Sequence, residues 1–88
     1  MKYLYKIPFE EGFHSRPAIA LTELTRKYKD IEFIISKINN KETYVKCKSL
    51  IAILTANIQQ YDEIEISINS DDKNNEIKIE LDKIFGVV

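Results

Sequence analysis

The chain has 88 residues, of which 44% are hydrophobic and 31% are charged, and its formal net charge is -1. This length favours a single domain over residues 1–88, with the composition of an ordinary globular protein. The lack of a basic excess argues against a nucleic-acid-binding protein, and no apolar run is long enough for membrane insertion.

The first predicted element is a strand over Lys2–Phe9. Its residues alternate between two faces, which is typical of a half-buried strand. The residues of the apolar face are Tyr3, Tyr5, Ile7 and Phe9. Glu10–Gly12 then breaks the alternation, so a loop is expected to lead to His14.

A helix is predicted from Arg16 to about Lys29, because the apolar residues now recur at helical spacing. The residues of this stripe are Ala18, Leu21, Leu24, Thr25 and Tyr28. Ile19 and Ala20 fall outside the stripe, one turn after His14. They are therefore candidates for a partner-binding surface beside the histidine.

Two strands and a turn follow. Ile31–Ile38 is rich in β-branched and aromatic residues and is predicted to be a strand, with Phe33 and Ile35 on one face. Asn39–Lys41 is predicted to be a hairpin turn, because asparagine tolerates positive φ. Glu42–Cys47 then returns as the third strand.

A short second helix is predicted over Ser49 to about Asn57, with Ser49 as its N-cap. The segment is apolar on nearly all sides. A helix of this length can bury only one face against a sheet, so part of the group Leu50, Ile51 and Leu54 is expected to be exposed. Exposed apolar residues in a cluster indicate docking.

The last two elements are a strand and a helix. After a connection at Gln59–Asp62, Glu63–Asn69 alternates cleanly and predicts the fourth strand. Ser70–Asn75 is a polar turn. Ile77–Phe85 fits either a strand or a helix, but its length and the capping residues before it favour a helix, which Gly86 would end.

The predicted order is therefore β-α-β-β-α-β-α. It favours an α+β open-faced sandwich, in which three helices cover one face of a four-stranded, mainly antiparallel sheet.

The protein's only histidine lies in a segment with the features of a phosphate site. Gly12 permits a tight turn, and Arg16 offers donors that suit phosphate oxygens. Ser15 is a candidate helix cap, and Pro17 fits the first helical turn. The positive end of the helix dipole favours an anion and disfavours imidazolium, which leaves a lone pair on His14 for attack.

The element order, together with Gly12–Ala18 and Lys48–Ile51, resembles HPr, the histidine-containing phosphocarrier family of the phosphoenolpyruvate-dependent sugar phosphotransferase system. The resemblance covers essentially the whole chain. It implies that His14 accepts a phosphoryl group on Nδ1 from Enzyme I and passes it to EIIA domains, and that Arg16 steadies the phosphate. It also implies that Ser49 matches a serine that a dedicated kinase modifies in many members.

The resemblance also implies partners. The residues expected to bind them are Ile19, Ala20, Lys48, Leu50, Ile51 and Leu54. They would contact Enzyme I and EIIA domains, and an HPr kinase/phosphorylase and a transcriptional regulator are further candidates. The alternative function is a regulatory protein-binding module controlled by Ser49 phosphorylation. We expect a cytoplasmic monomer with no cofactor.

Five positions depart from the usual family pattern. Phe13 replaces a branched aliphatic residue and Ile19 a small one, whereas Ala52, Asn57 and Tyr61 stand where glycine is usual. The substitutions at Asn57 and Tyr61 are expected to alter the loop after the second helix. A divergent paralogue with an altered partner set is therefore a further possibility.

Other candidate groups have structural explanations. Cys47, the single cysteine, excludes an internal disulfide and suits a reducing compartment, and we expect it to fill a small apolar space. Asp71–Asp72 is expected to be a solvated turn. One cysteine and one histidine make a metal site improbable, and the lack of paired carboxylates beside His14 disfavours a stand-alone enzyme.

Overall fold

The computed structural model of the protein describes residues 1–70 and 73–87, so Asp71–Asp72 lies outside the described residues. The elements are β1 (Lys2–Lys6), α1 (Ser15–Lys27), β2 (Phe33–Lys37), β3 (Asn40–Lys46), α2 (Leu50–Thr55), β4 (Glu63–Ile68) and α3 (Asn74–Ile84). Their order and types agree with the predictions, including a helix for the last segment. Gly86 follows α3 with a φ of +73°, as expected for the residue after a helix.

The sheet has the strand order β1-β4-β2-β3, and all neighbouring strands are antiparallel. β4 lies between β1 and β2, so Ile64 faces Tyr5 and Ile66 faces Ile35 across the ladders. One face of the sheet shares a single core with the three helices, which confirms the open-faced sandwich. The helix residues in this core include Leu21, Ile53, Ile77 and Leu81.

The element ends differ from the predictions by up to three residues. β1 ends at Lys6 rather than Phe9, and the chain then pairs with the connection before β4. The amide of Ile7 donates to the carbonyl of Asp62 at 2.9 Å, and the amide of Tyr61 donates to the carbonyl of Ile7 at 2.8 Å. These two hydrogen bonds therefore anchor the start of the loop that leads to His14.

α2 is shorter than predicted, because Ala56 caps it and Asn57 adopts a φ of +56°. No helix among the described residues is long and apolar enough to cross a membrane.

Candidate functional site

The loop before α1 is anchored to the connection that follows α2. The amide of Gly12 donates to the carbonyl of Phe9 at 2.9 Å, and the amide of Phe13 donates to the carbonyl of Ile58 at 2.9 Å. Gly12 has a φ of +71°, and a β-carbon there would lie 2.5 Å from the oxygen of Ile58. Glycine is therefore required both by the backbone angle and by the close approach. This anchoring sets the point at which His14 meets α1.

His14 itself occupies the N-cap of α1, with φ −89° and ψ −169°, and no side chain caps the helix. Its carbonyl accepts the first helical hydrogen bond from the amide of Ala18 at 3.0 Å. The prediction that Ser15 caps the helix is wrong: Ser15 is the first helical residue and is exposed. It cannot serve as the cap because the chain enters helical geometry one residue earlier than predicted. The start of α1 consequently has no side-chain acceptor for its amides, which suits an anion.

The imidazole ring lies at the surface in an asymmetric setting. Its side chain is 36% exposed, and its Nδ1 lies 3.8 Å from Oε2 of Glu11, whose side chain is largely in solvent. The ring of Phe9 meets the imidazole edge-on, with centroids 6.2 Å apart. The imidazole is therefore partly accessible, with a carboxylate on the Nδ1 side and an apolar ring beside it.

His14 and Arg16 line one open groove between α1 and α3, with a volume of about 560 Å³. The apolar residues of the groove are Phe9, Pro17, Ala20, Leu24 and Ile84, and its charged residues besides Arg16 are Glu23, Lys27, Glu80 and Lys83. Lys83 pairs with Glu80 at 3.7 Å. The structure thus brings together the predicted acceptor and the predicted phosphate-binding arginine in the same groove.

An aromatic cluster holds α3 against β1 and the histidine loop. Phe85 stacks on Tyr5 with centroids 4.4 Å apart and meets the edge of Phe13 at 5.7 Å. The hydroxyl of Tyr5 donates to Asp82 at 2.7 Å, and the ammonium of Lys78 donates to the same carboxylate at 2.8 Å. These two hydrogen bonds hold the pKa of the Asp82 carboxyl below its usual value, and the bond from Lys78 has the larger effect. α3, which forms the side of the groove opposite α1, is therefore held against the sheet.

The second predicted site, at the start of α2, has the expected cap. Oγ of Ser49 accepts a hydrogen bond from the amide of Ala52 at 3.1 Å, and Ser49 is exposed. The ammonium of Lys48 donates to the carbonyl of Lys29 at 2.7 Å, so it links the residues just before α2 to those just after α1. Leu50 is half-buried against the core.

Three predicted partner-binding residues are exposed apolar side chains on neighbouring helices. Ile19 on α1 is 43% exposed, and Ile51 and Leu54 on α2 are 73% and 41% exposed. The expectation that a short apolar helix leaves part of its surface uncovered is confirmed. Ala20 is half-buried and lines the groove with His14.

The connection after α2 keeps a left-handed backbone at two positions without glycine. Asn57 has a φ of +56° and Tyr61 a φ of +71°. The carbonyl of Asn57 accepts a hydrogen bond from the ammonium of Lys37 at 2.9 Å, and Tyr61 is held by its bond to Ile7. Two of the five departures noted in the sequence, Asn57 and Tyr61, therefore fall where the backbone is strained for a side chain.

Cys47 is fully buried, and this burial raises the pKa of its thiol to about 12. A thiol with such a pKa is protonated and unreactive at neutral pH, which agrees with the expected packing role. Among residues 1–70 and 73–87, no three histidine, cysteine or acidic side chains are arranged to hold a metal ion.

The sequence pattern does not identify two neighbours of the imidazole. It places Phe9 in the first strand and Glu11 in the loop before His14. The position of Glu11, three residues before His14 across a glycine turn, is a local signal that could have identified it. The groove residues of α3 have no such signal, because they meet α1 only through the tertiary fold.

Comparison with known proteins gives matches over nearly the whole chain. A family model described as the PTS HPr component phosphorylation site matches residues 2–84. A crystal structure of HPr-C-His from Thermoanaerobacter tengcongensis is 25% identical with a TM-score of 0.78, and the match covers 98% of this chain and 96% of that chain. The histidine-containing phosphocarrier protein of a Mycoplasma is 24% identical with a TM-score of 0.79, covering 97% of each chain. The phosphocarrier protein HPr of Bacillus anthracis is 18% identical with a TM-score of 0.72, covering 100% of this chain and 95% of that chain. These last two likenesses concern the fold alone.

Proposed function

The chain belongs to the HPr family of the phosphotransferase system, and we propose that it accepts a phosphoryl group on His14 from Enzyme I and donates it to EIIA domains of sugar transporters. Phosphoenolpyruvate is the original source of the group. The observation that carries the proposal is the position of His14, whose accessible ring lies at the uncapped N-terminus of α1 in the same groove as Arg16.

The chemistry needs one nitrogen lone pair and a positive environment. The lone pair of Nδ1 forms a bond to phosphorus, and the bond between phosphorus and the donor breaks with its electron pair left on the donor. The free amides of α1 and the guanidinium of Arg16 offset the charge on the phosphoryl oxygens. An exposed helix end contributes only about 0.3–1 kcal/mol per charge, and such weak binding suits a carrier that must release the group.

Docking would use the surface beside the histidine. Ile19 on α1 and Ile51 and Leu54 on α2 expose apolar side chains on neighbouring helices. Ala20, Lys48 and Leu50 complete the proposed surface. Burial of the exposed apolar side chains against Enzyme I or an EIIA domain would exclude water around the transferring group.

The test is a phosphotransfer assay. Purified protein with Enzyme I and phosphoenolpyruvate is expected to gain one acid-labile phosphoryl group on His14, and His14→Ala is expected to gain none. Arg16→Ala should slow the transfer about tenfold to a hundredfold through loss of charge-assisted hydrogen bonds. Arg26→Ala, in the last turn of the same helix, removes an equal charge far from the site and should leave the rate unchanged. A wild-type protein that a cognate Enzyme I leaves unmodified would overturn the proposal.

A second candidate function is regulation through Ser49. Its exposed hydroxyl lies at the start of α2, next to Leu50 and the exposed Ile51. A phosphate there would sit at a helix N-terminus, where negative charge is favoured, and would add charge to the docking surface. ATP-dependent, acid-stable labelling that is lost in Ser49→Ala would support this function, and a lack of labelling by every HPr-type kinase would contradict it.

A further inference from the structure

The carboxylate of Glu11 lies on the side of the imidazole that the phosphoryl group must occupy. Its Oε2 is 3.8 Å from Nδ1 of His14. The left-handed turn at Gly12 brings the two side chains together. The hydrogen bond from the amide of Phe13 to the carbonyl of Ile58 holds that turn in place. The contact is thus a consequence of the anchored loop.

From this contact we infer that Glu11 sets the phosphoryl-transfer potential of His14, an inference that rests on the proposed function. In the unmodified protein, the carboxylate lies beside a ring that carries no negative charge and does not repel it. In the phosphorylated protein, a group with about two negative charges is bonded to Nδ1 and is repelled by Glu11. This repulsion raises the free energy of phosphohistidine relative to histidine, which makes the phosphorylated protein a stronger donor.

The two transfer steps balance without a further co-reactant. In acceptance, the Nδ1 lone pair of the neutral ring bonds to phosphorus, and the bond between phosphorus and the donor breaks with its electron pair left on the donor. In donation, an acceptor lone pair bonds to phosphorus, and the electron pair of the phosphorus–nitrogen bond returns to Nδ1.

The site therefore contains two opposing charges. Arg16 attracts the phosphoryl group, and Glu11 repels it. Because Glu11 is 79% exposed, its effect is that of charges about 4 Å apart in water, which alters an equilibrium about fivefold for each negative charge on the phosphoryl group. An effect of this size adjusts the balance between acceptance and release without abolishing either.

A partition experiment tests the inference. Isotope-labelled wild-type protein and an unlabelled variant are mixed in equal amounts with catalytic Enzyme I and limiting phosphoenolpyruvate, and mass spectrometry measures the phosphorylated fraction of each at equilibrium. Glu11→Gln is expected to hold the phosphoryl group at least about fivefold more strongly than wild type. Glu10→Gln, the matched control, makes the same charge change at the preceding exposed residue and should partition nearly equally.

Two results would overturn the inference. One is an equal partition between Glu11→Gln and wild type, and the other is a preference that is the same for both variants. A preference that persists undiminished in about 1 M salt would likewise contradict a charge effect, because screening shortens the electrostatic range to about 3 Å.

A separate arm distinguishes failure of the inference from failure of the proposed function. If Enzyme I leaves the wild-type protein unmodified, the proposed function fails, and phosphohistidine is then prepared chemically with a small phosphoramidate. Water cleaves it to histidine and inorganic phosphate, and removal of the Glu11 charge should slow this hydrolysis, because the repulsion that favours cleavage of the phosphorus–nitrogen bond is lost. Equal hydrolysis rates in wild type and Glu11→Gln would overturn the inference in that arm.

Discussion

The carbonyl oxygen of Ile58 occupies the space that a β-carbon on Gly12 would need, at a distance of 2.5 Å. The same oxygen accepts a hydrogen bond from the amide of Phe13 at 2.9 Å. The loop that presents His14 and the connection that leaves α2 are therefore locked together through backbone atoms. The position of the histidine consequently depends on a segment far from it in the chain.

Gly12→Ala is expected to destabilise the protein by about 2–3 kcal/mol, through its positive φ and the clash with Ile58. Gly86→Ala is the matched control, because Gly86 has a similar φ of +73° but open space around it. It should cost only about 1 kcal/mol. Urea unfolding of both variants measures the difference, and equal losses would show that the clash with Ile58 is relieved at little cost.

Tyr61→Gly is expected to stabilise the protein by about 1 kcal/mol, because glycine adopts the φ of +71° without steric cost. Asn57→Gly should stabilise it less, since asparagine tolerates the left-handed region better than tyrosine does. Denaturant unfolding measures both variants. A shift of the midpoint concentration reports a change in stability when the slope of the free energy of unfolding against denaturant concentration is unchanged. A Tyr61→Gly variant less stable than wild type would mean that contacts of the tyrosine ring outweigh the backbone strain.

Ser49→Ala is expected to cost about 1 kcal/mol, because it removes the acceptor of the Ala52 amide at the start of α2. Ser15→Ala removes an exposed hydroxyl from the first turn of α1, where Ser15 is not the cap. It should change stability by less than about 0.5 kcal/mol. Thermal or urea unfolding of the pair distinguishes the two serines, and equal losses would contradict the assignment of the caps.

Asp82→Asn is expected to destabilise the protein by about 1 kcal/mol at neutral pH, through weakened bonds from Lys78 and Tyr5. The folded-state pKa of Asp82 lies below its unfolded value of about 3.9. Its contribution is therefore fully present above the unfolded pKa and is lost as the pH falls through the folded pKa. Urea unfolding across an acidic pH series should show that the difference in free energy of unfolding between wild type and variant disappears in that range.

Glu80→Gln is the control for this pH dependence. Glu80 is a neighbouring carboxylate on α3 whose ion pair with Lys83, at 3.7 Å, is exposed. It should have a smaller effect on the free energy of unfolding at every pH. If the difference in free energy of unfolding between wild type and Asp82→Asn stays constant as the pH falls, the carboxylate charge is not the source of the stabilisation.

Much of the fold could be predicted because the signals are local. The alternation in β1 and β4 and the helical spacing in α1 specify which faces are buried, and these patterns depend only on near neighbours in the chain. The cap at Ser49 is likewise a short-range hydrogen bond. The cap of α1 was predicted one residue late, because nothing in the sequence marks His14 rather than Ser15 as the last non-helical residue.

The amino-acid sequence by itself determined the order of elements, the buried faces and the histidine at a helix start, because backbone propensity and hydrophobic periodicity act over a few residues. Only the tertiary structure decided that Ile58 locks Gly12 and that α3 forms the far wall of the groove beside His14. These contacts join residues far apart in the chain, so they exist only once the sheet and helices have packed. The local pattern specifies what each segment becomes, and the packing specifies which atoms surround the imidazole.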